Sequence, residues 1–192
     1  MQLAEENLPG NWSRSVTAWK PSERVREFAA ESKVGYPQEL RLIPAQNFKD
    51  FAIRVAYSRN HVFSAYHMRH LGAPEYPLTE RILYWYAQQK SRALWCQVQA
   101  QSSDGGNAVV RKTSERYVRG ALVRALKAAG YDSTGKSLDG HETEVYGTIR
   151  ILVTQPKEIL KVEFDELLRY MNNLIFHTAP RLKRFTNAAE LP

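Results

Sequence analysis

The segment Gly130–Ser137 reads GYDSTGKS and satisfies G-x-x-x-x-G-K-[ST] at every fixed position. In that pattern backbone amides cradle phosphates, the lysine reaches them, and the hydroxyl helps to hold Mg2+. The chemistry needs a strand before the loop and a helix after it, because the helix N-terminus supplies amides and dipole to the anion. Here ERYVRGALVRALKAA precedes the loop with helical spacing, and LDGHET leads towards a strand. Only 55 residues follow Ser137, and no acidic residue closes an apolar strand to serve as a Mg2+ partner. The expectation is a solvated loop after a helix, with nucleotide hydrolysis as the weakest of the readings considered.

Other reactive groups are poorly placed for chemistry. His67 and His70 lie three apart, but His61 points elsewhere on the expected helix and Cys96, His141 and His177 are scattered, so no metal is expected. Cys96, the sole cysteine, falls on the apolar side of an alternating run, where a buried inert thiol is expected. One cysteine cannot form an internal bridge, consistent with a reducing, intracellular setting. Asp165 and Glu166 suit the first turn of a helix, where carboxylates are stabilised anyway. No nucleophile elbow or dinucleotide fingerprint occurs. The expectation is a non-catalytic protein without a cofactor.

Positive charge offers a stronger signal. The chain has net charge +7, a bias towards polyanionic partners. Residues 111–127 hold six basic residues and one acidic. At 100° per residue, Lys112, Arg116, Arg119 and Lys127 share a narrow arc opposite the apolar stripe, with Arg124 beside it and Arg111 at its start. Residues 41–92 carry eight basic and three acidic residues, and ten of the 21 aromatics lie between Phe48 and Trp95. Cations interleaved with rings suit single-stranded nucleic acid. Arg54 and Arg59 belong to this segment, and Arg181, Lys183 and Arg184 extend the charge near the C-terminus. Arg59 interrupts an apolar stripe, which implies either an internal carboxylate partner or a place at an interface.

The elements that must position these residues are read from periodicity. Residues 1–20 have no period and carry Trp12 and Trp19, as an extended arm would. A single domain over 21–192 follows. A short helix is expected from Pro21 to Ser32, a strand at 40–43, and a helix from Gln46 to Leu71 whose Phe48, Phe51, Ala52, Val55, Val62 and Tyr66 recur at helical spacings. A further helix runs to Arg92 with Thr79 as its cap. LWCQVQAQ alternates as a strand, and AVVRK returns as its hairpin partner. Ser114 caps a helix over 115–129, a strand covers 145–153, and a last helix covers 165–177.

The class is therefore α+β, with a helical N-terminal half packed on a small antiparallel sheet backed by two helices. The first residues, MQLAEENLPGNW, lack an apolar run, and no stretch approaches the roughly 18 apolar residues of a membrane span. These observations lead to the expectation of an intracellular, basic subunit of a nucleoprotein assembly, contacting RNA or DNA phosphates through the 111–127 face. The alternative is a scaffold that binds other protein subunits.

Overall fold

The computed structural model describes residues 19–43, 52–73, 76–101, 105–140 and 143–185. The class is α+β. In chain order the elements are α1 (Glu23–Ser32), β1 (Val34–Gly35), β2 (Arg41–Leu42), β3 (Ile53–Ser58), β4 (His61–Val62) and α2 (Thr79–Gln89). Then come β5 (Leu94–Ala100), α3 (Ala108–Ala128), β6 (Thr143–Val145), β7 (Gly147–Val153), α4 (Pro156–Ile159), α5 (Phe164–Leu182) and β8 (Lys183–Phe185). Among the described residues no helix is long and apolar enough to cross a membrane.

The main sheet has the order β2-β3-β7-β5. Strands β2, β3 and β7 run antiparallel, but β5 runs parallel to β7, with Leu94 opposite Gly147 and Ala100 opposite Val153. A parallel neighbour requires a long crossover, and α3 provides it. The sheet is therefore mixed, where the sequence was read as wholly antiparallel. The expected hairpin at 94–112 is absent: AVVRK is the first turn of α3, capped by the Asn107 side chain, which accepts from the Val110 amide at 2.9 Å. Ser114, read as the cap, is buried inside the helix, and its hydroxyl donates to the Arg111 carbonyl.

The second correction concerns 46–71. Residues 44–51 lie outside the described residues, but 53–58 form a strand rather than a helix. Ile53 and Val55 enter the core while Arg54 is exposed, the period-two pattern that β-branched residues favour once a partner strand is available. Pairing with β7 over six residues supplies that partner. The described part of the N-terminal half thus mixes two helices with short strands.

Two apolar cores lie on opposite faces of the sheet. On one, α3 and α5 pack Val118, Leu122, Leu126, Leu167, Met171 and Leu174 against Ile149, Ile151 and Val153. This agrees with the expectation of two backing helices. On the other, Val25, Phe28, Phe63, Leu71, Leu83 and Tyr86 enclose Trp95. A polar layer ties this second core to the sheet. Thr148 Oγ1 accepts from the Val62 amide and donates to the Asn60 carbonyl, while Gln97 Nε2 donates to the Val62 carbonyl. Trp19 joins the same layer, donating from Nε1 to the Met68 carbonyl at 2.6 Å and packing edge-on against Tyr36. Residues 1–18 of the expected arm lie outside the described residues.

His61 is 4% exposed, with its ring stacked on Trp95 at 4.3 Å and its Nε2–H donating to the Ala93 carbonyl at 3.0 Å. Burial lowers its pKa; the Ala93 hydrogen bond opposes this in part, and nearby Arg184 adds to the lowering. Above pH 6.5 the ring is neutral in both folded and unfolded chains. As pH falls through about 6.5 the unfolded chain gains a proton that the folded chain resists, so stability falls. Urea titrations should show stability declining below pH 6.5, with a slope of at most about 1.4 kcal/mol per pH unit from this residue. His61→Gln should flatten that part of the profile.

Candidate nucleic-acid interface

Helix α3 enters the core through Val118, Ala121, Leu122, Ala125 and Leu126. The rotation of 100° per residue then turns Lys112, Arg116, Arg119 and Lys127 outward, and all four are exposed. Lys112 is engaged by Glu115 at 2.7 Å. Among the described residues Arg116, Arg119 and Lys127 have no ion pair. Two expected members separate from them. Arg124 turns to the opposite flank and lies 4.6 Å over the Phe164 ring, and Arg111 is half-buried in the first turns.

A second group forms at the end of the sheet where β5 and β7 begin. Arg59, expected within a helical stripe, stands exposed in the turn after β3 and donates from Nε to the Arg181 carbonyl at 3.2 Å. It has neither a buried carboxylate nor a place in an apolar stripe. The Arg181 guanidinium lies 5.9 Å from the Tyr57 ring centroid, and that of Arg184 lies 4.6 Å over Tyr146. Lys183 is exposed between them. Residues 122 positions apart thus share one surface. Arg54 does not join it; it is exposed one residue into β3, opposite Leu152.

Both groups approach the same end of the fold. The Leu94 amide donates to Thr134, just past the C-terminus of α3, and the Tyr146 amide donates to Leu182 at the end of α5. Lys127 and Arg181 sit in the last turns of those helices, where positive charge also meets the negative end of the helix dipole.

Compared with protein-family models, curated proteins and solved structures, the chain matches none. Its chemistry is therefore read from its own geometry.

The GYDSTGKS loop supplies its own anion. The Asp132 carboxylate accepts from the Thr134 amide at 2.8 Å, the Lys136 amide at 2.9 Å and the Thr134 hydroxyl at 2.7 Å. Partial burial alone would raise the Asp132 pKa, but these hydrogen bonds and the Lys136 charge outweigh it and hold the pKa below the ordinary value. The Asp132 and Gly135 amides also donate within the loop, which is closed by a bridge between Tyr131 and Ser137. Four of the loop amides that would face a phosphate, those of Asp132, Thr134, Gly135 and Lys136, are thus occupied. Gly135 is explained by packing: its φ is +86°, and a Cβ there would strike the Val145 carbonyl and Leu94.

The remaining reactive groups are similarly engaged. His67 Nδ1 is hydrogen-bonded with the Tyr86 hydroxyl at 2.8 Å, and His70 Nε2 accepts from Arg69 Nε at 2.9 Å. Burial pushes the Cys96 thiol up to about 12. What sequence reasoning missed is a groove of about 580 Å3 along the outer edge of β5, which brings Arg92 together with Arg119, Trp85 and His67. Among the rings expected to interleave with these cations, Trp95 is buried, Tyr57 is half-buried, and Tyr84 is exposed. Tyr66 and Trp85 are further exposed rings.

If the loop is structural, Gly135→Ala should cost at least about 2 kcal/mol through strain and overlap. Asp132→Ala should cost about 1 kcal/mol, and Lys136→Ala less than about 0.5 kcal/mol, all read by urea denaturation. Thermal stabilisation by Mg·ATP that disappears in Lys136→Ala would contradict the assignment.

Proposed function

We propose that the chain binds nucleic acid through phosphate contacts, as a non-catalytic basic subunit of a nucleoprotein assembly. One observation carries the reading: the exposed arc of α3 presents Arg116, Arg119 and Lys127 without an ion pair among the described residues, and no acidic residue occurs from Arg116 to Tyr131. Surface cations are ordinarily interspersed with carboxylates. A row of unneutralised cations on a rigid helix concentrates positive potential and attracts a polyanion within a Debye length of about 8 Å at physiological salt.

The group of Arg59, Arg181, Lys183 and Arg184 lengthens this surface beyond one helix. Each phosphate engaged releases condensed counterions, which makes the affinity salt-dependent. Arg181 and Arg184, lying over Tyr57 and Tyr146, are steadied by cation–π contacts worth about 0.5–1 kcal/mol each at an exposed site. Such contacts position a backbone and carry little base readout.

Fluorescence anisotropy with labelled 20-nucleotide single strands and duplexes, titrated between 50 and 200 mM salt, tests this. The double variant Arg116→Glu/Lys127→Glu should weaken binding at least tenfold. It should also lower the salt slope by about 1.4 on single strands or 1.8 on duplexes, two contacts' worth. Wild-type binding that equals the variant's at 150 mM salt would overturn the proposal.

A further inference from the structure

The main sheet ends at β5, and among the described residues no strand pairs with its outer edge. The Gly147 amide donates to the Ala93 carbonyl and the Gln101 amide donates to the Val153 carbonyl. In a parallel ladder this parity turns the main-chain groups of Trp95, Gln97 and Gln99 towards β7 and those of Leu94, Cys96, Val98 and Ala100 outward. The two ends of the outward row are closed. Leu94 N–H donates to the Thr134 carbonyl at 2.7 Å, and Ala100 N–H donates to Glu115 Oε1 at 3.0 Å. Between them the Cys96 and Val98 amides have no partner among the described residues.

Natural sheet edges are commonly protected by charged residues, proline, bulges or a covering element. The strand LWCQVQA contains neither proline nor charge. It lies along the groove between α2 and α3, with Trp85 and Gln89 on one wall and Arg119, Leu122 and Val123 on the other. Among the described residues Arg92 and Arg119 are the full charges that line it, and no carboxylate does. An added strand would alternate its side chains between these walls, one set towards Leu122 and Val123 and the other towards Trp85. Self-pairing of two β5 edges would bring both copies' arginines into one groove, a like-charge cost that an acidic occupant turns into attraction.

We propose that the outer edge of β5 is a strand-addition site for a short, extended, acidic segment of a partner protein. The Cys96 and Val98 main-chain groups supply register, and Arg92 and Arg119 select carboxylates. The closed ends limit the added ladder to the stretch between Leu94 and Ala100. This site shares Arg119 with the phosphate-binding reading, but that reading's test residues Arg116 and Lys127 do not line the groove.

The test uses three fluorescein-labelled, end-blocked hexapeptides: EVEVEV, KVKVKV, and EVEVEV doubly N-methylated on alternate amides, made in both registers. The full chain should bind EVEVEV at least tenfold more tightly than KVKVKV, and N-methylation in the edge-facing register should abolish binding. Arg119→Glu should reverse the charge preference. Val98→Pro, which removes an outward amide, should lose binding; if that variant does not fold, the N-methyl peptides still decide. Arg116→Glu/Lys127→Glu should keep peptide binding. Absence of EVEVEV binding at about 1 mM, a Kd of the weakest useful class, would overturn the proposal. So would equal binding of all the N-methylated forms. Self-association abolished by Val98→Pro would overturn it in favour of a second copy as the occupant.

Discussion

Strand β7 is buried at every one of its seven positions and paired along both edges. A strand in that situation must have both faces covered, and one edge here is paired in parallel. The parallel edge requires a crossover, and α3 is that crossover. The apolar stripe of α3 covers one face of β7, which fixes the helix about its own axis and turns its basic arc to solvent. The opposite face is covered by the layer containing α1, α2 and the 60–64 segment with β4, held to the sheet through Thr148 and Gln97. Gly147 begins β7 with φ of +117°, and a Cβ there would also meet the Ser58 carbonyl and the Arg59 backbone, so only glycine fits. That close approach sets Arg59 beside the end of α5.

The same constraint explains how two basic groups distant in sequence approach one another. Helices α3 and α5 both run back across the sheet to the end where β5 and β7 start. Their last turns therefore bring Lys127 and Arg181 to that end, and β8 carries Lys183 and Arg184 alongside β6. The β5–α3–β7 connection also leaves β5 as the outermost strand. One topological choice thus produces the charged helix face and the β5 outer edge.

The amphipathic helices were legible because burial of one stripe is a local, periodic requirement. α1, α2, α3 and α5 were all expected, and the α3 arc follows directly from rotation about a helix axis. The 53–58 strand was not legible: IRVAYS satisfies both a helical stripe with its neighbours and a two-residue alternation, and only the distant strand β7 decides between them. The start of α3 is not legible because Val109 and Val110 favour extended structure, while the Asn107 cap overrides that preference. In the GYDSTGKS loop, the preceding helix was visible in the sequence. That Asp132 itself occupies the Thr134 and Lys136 amides depends on side-chain geometry that no pattern encodes. The union of Arg59 with Arg181 and the groove beside β5 arise from tertiary packing alone.

The central claim is that a polyanion meets the α3 arc and the adjoining sheet end. The most direct measurement is an NMR titration of 15N-labelled protein with a single-stranded 12-nucleotide oligomer at 150 mM salt. The account predicts amide shifts concentrated in 116–128 and 181–185, with the turn at Arg59, while 166–175 on α5 stay unchanged. Shifts confined to other surfaces, or none at millimolar oligomer, would contradict it.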